Sequence, residues 1–175
     1  AGAYEAASLL KGPLTGEALF RLGLGRLNHL RDYEGAAKNF DTFTDKYKSD
    51  ARRADAAFNE ALCYQHSYYG GKEKHLADAV RLFGEFVKAH KKHEMSHVAQ
   101  FYVGKLQHIR EDWNAAVQAL KPLLSNEDPA LSQLVFLLGD SYHQKKDWEQ
   151  SAKYYMQFSK GNEKALNADV ALHNA

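Results

Sequence analysis

One five-position pattern occurs four times in this chain and confines it to a narrow set of folds. A large residue is followed by further core-type residues at +3, +4, +7 and +10. The copies are Tyr33, Ala36, Ala37, Phe40 and Phe43; Leu76, Ala79, Val80, Phe83 and Phe86; Trp113, Ala116, Val117, Leu120 and Leu123; and Trp148, Ser151, Ala152, Tyr155 and Phe158. They start 43, 37 and 35 residues apart. The spacing inside each copy is that of one face of an α-helix. A recurrence at such a period marks a stack of helical units, none of which buries its apolar face alone. Every aromatic of the pattern is therefore expected in the core, and Trp113→Ala is expected to cost about 3–5 kcal/mol.

A second amphipathic stretch precedes each copy. Val98, Phe101, Tyr102, Leu106 and Ile109 share one helical face, as do Leu131, Leu134, Val135, Leu138 and Tyr142. Ala57, Phe58, Ala61 and Leu62 do the same, and Leu19, Leu22 and Leu27 do so less regularly. Each unit thus reads as a hairpin of helix A, a short turn and helix B. Asp32, Asp112 and Asp147 stand just before the first large residue of helix B, where a carboxylate caps the free N–H groups of a helix start. In the second unit the turn from Ser67 to Lys74, with Gly70 and Gly71, is about six residues longer, an insertion that a repeat stack carries on its surface. Lys48-Ser49-Asp50, His93-Glu94-Met95-Ser96 and Asn126-Glu127-Asp128-Pro129 separate the units, and Pro129 suits a first helical turn. Pro122 falls inside a helix B and predicts a kink or an early end there. The expected repeats are 17–48, 51–92, 94–126 and 129–160, with terminal helices over 2–11 and 163–173, in a single domain over 1–175. The helical look of Ala1-Gly2-Ala3-Tyr4 suggests a chain that begins within a larger protein or after a removed leader.

These residues resemble the tetratricopeptide repeat. Gly139, Tyr142, Asp147, Trp148 and Tyr155 match its small, aromatic, turn and helix B positions, with Ser151-Ala152 at the small position of helix B. Gly104, Asp112, Trp113, Ala116 and Leu120 match, with Gln107 in place of the aromatic, and Ala61, Tyr64, Ala79 and Phe83 match around the insertion. The first unit carries Asp32, Tyr33, Ala36 and Phe40, while Gly23, Leu24 and Gly25 compete for its small position. The resemblance, over roughly 17–159, implies an all-α fold: a right-handed superhelical α-solenoid of stacked antiparallel helix pairs, with about ten helices. It also implies a concave groove lined by the helix A faces, in which the family holds protein or peptide partners. More narrowly, the joint Phe40-x2-Phe43-x3-Tyr47-x-Ser49-x2-Arg52-x3-Ala56-Ala57-Phe58 is similar to that of bacterial cell-envelope repeat proteins. These include the outer-membrane assembly lipoprotein and the Tol-associated division coordinator. Lys48 stands where those proteins carry Pro. The expected setting is the periplasm or outer membrane, with a cytoplasmic adaptor as the alternative.

Near the end of each helix A a polar residue precedes histidine: Asn28-His29, Gln65-His66, Gln107-His108 and Tyr142-His143. One reading is a titratable ledge along the groove, built from His29, Gln65, His66, Lys105, His108, Asp140 and His143, that receives an acidic or amide-rich peptide. The other is a set of exposed helix C-termini, where imidazolium interacts well with the helix dipole. On either reading, exchanging His66, His108 and His143 for Ala is expected to leave stability nearly unchanged.

His90, His93 and His97 have ligand-like spacings but fall on an inter-repeat turn, where a solvated basic turn is favoured over a metal site. Cys63 is the one cysteine and sits in an apolar stretch, as a small buried hydrophobe. No catalytic motif is present, so neither an enzyme nor a cofactor is expected. A formal charge of +1 argues against nucleic acid, and no apolar run is long enough for a membrane span. A structural module that self-associates through its terminal helices is the competing class of function.

Overall fold

The computed structural model describes residues 13–125 and 133–161. The terminal helices expected over 2–11 and 163–173, and the turn at Asn126 to Pro129, lie outside the described residues. Every regular element among the described residues is a helix. In order these are α1 (Pro13–Gly25), a wide π turn (Arg26–Leu30), α2 (Tyr33–Lys46), α3 (Arg53–Tyr69), α4 (His75–Ala89), α5 (Ser96–Ile109), α6 (Trp113–Leu120), a 3-10 segment (Lys121–Ser125), α7 (Leu134–Gln144) and α8 (Trp148–Gly161). Eight α-helices are described where about ten were expected. The chain divides into two compact units, residues 1–96 and 97–175.

Within each unit the pattern residues behave as their spacing requires, with one exception. The +3, +4, +7 and +10 positions form the core: Ala36, Ala37, Phe40 and Phe43, then Ala79, Val80, Phe83 and Phe86, are all buried. Ala116, Val117, Leu120, Leu123, Ser151, Tyr155 and Phe158 do the same in the second unit, and Ala152 is half-buried. The first position does not follow. Tyr33, Leu76 and Trp113 are half-buried, and Trp148 is 58% exposed. The first residue of helix B lies at the turn end of the hairpin, where neighbouring side chains cover it only in part. The full core cost expected for Trp113→Ala therefore does not apply.

The turns repeat one solution. Arg31, Glu111 and Lys146 take the left-handed conformation, with φ of 53°, 61° and 60°. Each ends helix A, and the next residue is an Asp with two tasks. The Asp112 and Asp147 N–H groups donate back to the Gln107 and Tyr142 carbonyls at 3.0 Å, closing a Schellman-type end. Their side chains accept from Ala115 N–H at 3.0 Å and Gln150 N–H at 3.3 Å, capping helix B. Asp32 caps Gly35 N–H in the same way, but its own N–H reaches Arg26 O, one residue further back, across the π turn.

Close packing at the small position of helix A sets each hairpin. A Cβ on Gly23 would meet the Phe40 ring at 2.8 Å, one on Gly104 would meet Leu120 at 2.4 Å, and one on Gly139 would meet Tyr155 at 2.8 Å. Gly23 is thus the small residue of the first hairpin, and the extra residues of the π turn explain why the sequence leaves it ambiguous. Pro122 ends α6 at Leu120 and the chain continues as a 3-10 segment, as its missing N–H demands.

The joint after α2 is held by Arg52. Its guanidinium lies over Phe20 and Phe43 at 5.3 and 5.5 Å. It donates to Asp50 at 2.8–2.9 Å and also to Glu17. Its hydrogen bonds hold the Asp50 carboxyl down at about 2. Cys63 is fully buried and its thiol is pushed up to about 12, mainly by burial, so it packs and does not react.

Candidate functional site

Register counted from the small residue of helix A decides which polar side chains are equivalent. His108 and His143 each follow their small residue, Gly104 and Gly139, by four positions, one helical turn. Counted from Ala61, that place belongs to Gln65, which is buried at 3% exposure. Counted from Gly23 it belongs to Leu27, also buried. His66 comes one position later, and His29 lies exposed within the π turn. Of the four dipeptides, only Gln107-His108 and Tyr142-His143 therefore share a register.

In the first unit, His66 stacks on Tyr33 of the preceding hairpin, ring centroids 5.3 Å apart. Desolvation lowers its pKa and favours the neutral ring. Beside it the insertion is fastened down. Lys72 Nζ pairs with Glu34 at 2.9 Å. His75 is buried, with Nδ1 2.8 Å from Ser67 Oγ, Nε2 3.6 Å from Glu34 and its ring edge-on to Tyr64. Sequence reasoning missed His75 and Glu34, because the contact joins the insertion to a helix more than thirty residues earlier. Only the apolar spacing around His75 could have hinted at its burial.

In the second unit the predicted residues converge. His108 Nε2 lies 2.6 Å from Asp140 Oδ2, joining α5 to α7. Tyr155 OH donates to the other oxygen of Asp140 at 3.2 Å. These bonds, the one from His108 first, hold the Asp140 carboxyl below its usual range. Lys105 follows Gly104 directly, as Asp140 follows Gly139, and is half-buried. Each histidine also meets the first aromatic of its own helix B. His108 packs edge-on against Trp113 at 5.0 Å, and His143 against Trp148 at 5.1 Å. His143 Nδ1 is buried with no hydrogen-bond partner among the described residues. His108 carries part of the fold, so the histidine triple exchange is not stability-neutral as the sequence suggested: removing His108 leaves the half-buried Asp140 without its closest partner.

The turn after α4 spends its histidines internally. His93 Nδ1 accepts from Met95 N–H at 3.2 Å while Nε2 lies 3.4 Å from Asp55. His90 tilts over Phe86 at 5.0 Å. Among the described residues, no group of three or more His, Cys, Asp or Glu side chains is placed to hold a metal ion. No described helix is long and apolar enough to cross a membrane.

Two comparisons bear on the class of protein. The family model of the tetratricopeptide repeat matches residues 17–50, the α1–α2 hairpin and the turn after it. Among solved structures, the chain is similar to the crystal structure of nearly identical TPR-like repeats from Podosopora anserina, a protein named for kinesin light chain. The TM-score is 0.64 at 14% identity, over 94% of this chain and 85% of that one. At that identity the likeness is one of fold. A search of curated proteins finds no match. The chain thus has a TPR-like helical-repeat fold, with a family match on its first described hairpin.

Proposed function

We propose that this protein is a non-enzymatic interaction module that holds a protein or peptide on its helix A faces, with His108, His143 and Lys105 as polar contacts and Trp113 and Trp148 as aromatic ones. The observation that carries this reading is Trp148, 58% exposed beside His143. The core closes without it, and an indole left at the surface next to a polar ring is the kind of anchor that dominates protein interfaces. The imidazole of His143 beside it can pair with a polar group of the partner, such as a carboxylate, a side-chain amide or a peptide carbonyl. Asp140, engaged by His108 and Tyr155, positions the strip rather than meeting the partner.

A peptide selection against the chain tests this. Selected peptides are expected to lose at least about tenfold in affinity to a His143→Ala, Trp148→Ala double variant, an interface anchor being worth roughly 2 kcal/mol. Unchanged affinity for the double variant would remove the reading. The bacterial envelope remains the proposed setting, supported by the Phe40 to Phe58 joint. Fractionation of the source cells checks it, and recovery in the cytosol would favour the adaptor alternative.

A further inference from the structure

A second surface in the first unit is built from other helices. A groove of about 330 Å³ lies between α2 and α4, with α3 beneath it. Its lining is mixed. Ala57, Leu82, Phe86 and Ala89 supply apolar surface, while Asp41 and Glu60 face it with carboxylates. The two guanidinium groups that line the groove are already paired, within it or at its edge. Arg53 donates to Thr44 O at 3.1 Å, and Arg81 pairs with Glu85 at 3.1 Å and Asp78 at 3.6 Å. The side chains of Asp41 and Glu60 make no hydrogen bond or ion pair with the described residues.

We propose that this groove receives an arginine or lysine side chain of a protein partner, its methylene stem on Leu82 and Phe86 and its charged head between Asp41 and Glu60. The match is one of charge and of shape. A long cationic side chain has an apolar stem and a polar tip, and this groove offers a complement to each. The surface uses none of the residues of the helix A strip, so the failure of either reading leaves the other standing.

The groove also makes the binding depend on pH. Burial, then the neighbouring Asp41 charge, pushes the Glu60 carboxyl up to about 7. Asp45 and Glu85 add to the push and Arg81 opposes it. Arg53 and His90 line the same groove, and the Tyr64 phenol on α3 feels the Glu60 charge. A bound cation favours the ionised form, so a proton leaves Glu60 as the partner arrives at neutral pH.

Proton–nitrogen correlation spectra of the whole chain near pH 8, recorded while N-acetyl-arginine amide is added, test the proposal. N-acetyl-glutamate amide serves as the opposite-charge control. Saturable shifts are expected at the amides around Asp41, Ala57 to Glu60, and Arg81 to Phe86. Affinity is expected to fall by about tenfold or more in Glu60→Gln and in the exposed-site variant Asp41→Asn, the magnitude usual for removing one partner of a charged pair. The unmodified protein near pH 5.5 is expected to bind as weakly as Glu60→Gln, which separates loss of charge from any effect on folding. Absence of shifts in the groove, equal affinity in both variants, or binding of the glutamate probe in place of the arginine one would overturn it, the last by assigning the groove to an anion held by Arg53 and Arg81.

Discussion

The missing side chain at Gly104 does more for the second unit than most side chains present there. It lets α5 approach α6 until Leu120 fills the space a methyl group would need, 2.4 Å from the position of a Cβ. Leu120 is fully buried and has no room to retreat. Gly104→Ala is therefore expected to destabilise by about 1–3 kcal/mol through overpacking. Gly84 provides the contrast: it lies within α4 with nothing within 4 Å of a Cβ. There the same exchange is expected to stabilise by up to about 1 kcal/mol, since alanine loses less backbone entropy in a helix. Urea denaturation of the two variants checks both signs. Equal effects would mean that the tight Gly104 contact does not govern how α5 and α6 close.

At the scale of the element, the hairpin turns carry a cost that the sequence could shed. Lys146 is exposed and holds φ at 60°, a conformation that costs a side-chain-bearing residue roughly 1–2 kcal/mol. Lys146→Gly removes that strain, partly offset by the greater freedom of the unfolded chain, for an expected gain of about 0.5–1 kcal/mol. Asp147→Ala in the same turn is expected to lose about 1 kcal/mol, because it uncaps Gln150 N–H. Thermal unfolding should thus move in opposite directions for neighbouring residues. Matching shifts would show that the turn is not the unit described above. This element-level logic was legible in advance. An Asp before a large residue marks a helix start, and Pro122 marks a helix end, because both act on backbone groups nearby in sequence. The left-handed residues were not legible, since Arg31, Glu111 and Lys146 share no chemistry that prefers that conformation. Nor was the surface position of Trp148, because helical periodicity identifies a face but not where along it the covering neighbour stops. The histidine column failed for a related reason. A π turn in the first hairpin and a one-residue offset in the second hairpin move His29 and His66 out of register with His108 and His143, and neither shift leaves a mark in residue type.

Taken over the whole molecule, the titratable groups oppose one another near neutral pH. Glu60 is raised from 4.5 to about 7 in the folded state. Its contribution to stability is fully present below 4.5 and is lost as pH rises through about 7, because the folded state binds the extra proton in that window. His66 and His90 are both lowered from 6.5, chiefly by desolvation. Their contribution is present above 6.5 and is lost as pH falls through their folded values, because there the unfolded state binds more protons. Where the two windows overlap, below pH 6.5, the slopes have opposite sign, so the Glu60 and histidine contributions offset each other there. Glu60→Gln removes one side of the balance. The variant is expected to gain stability relative to the parent as pH rises, by on the order of 1–2 kcal/mol above pH 7 once solvent screening is allowed for. Below about pH 4.5 the two proteins are expected to converge, since Glu60 is then protonated in both the folded and the unfolded parent. Denaturant midpoints measured from pH 4 to 8 on both proteins decide it. A difference that stays constant across that range would mean that Glu60 titrates like an ordinary surface carboxylate, and the acidic side of the α2–α4 groove would lose the strain that makes it receptive to a cation.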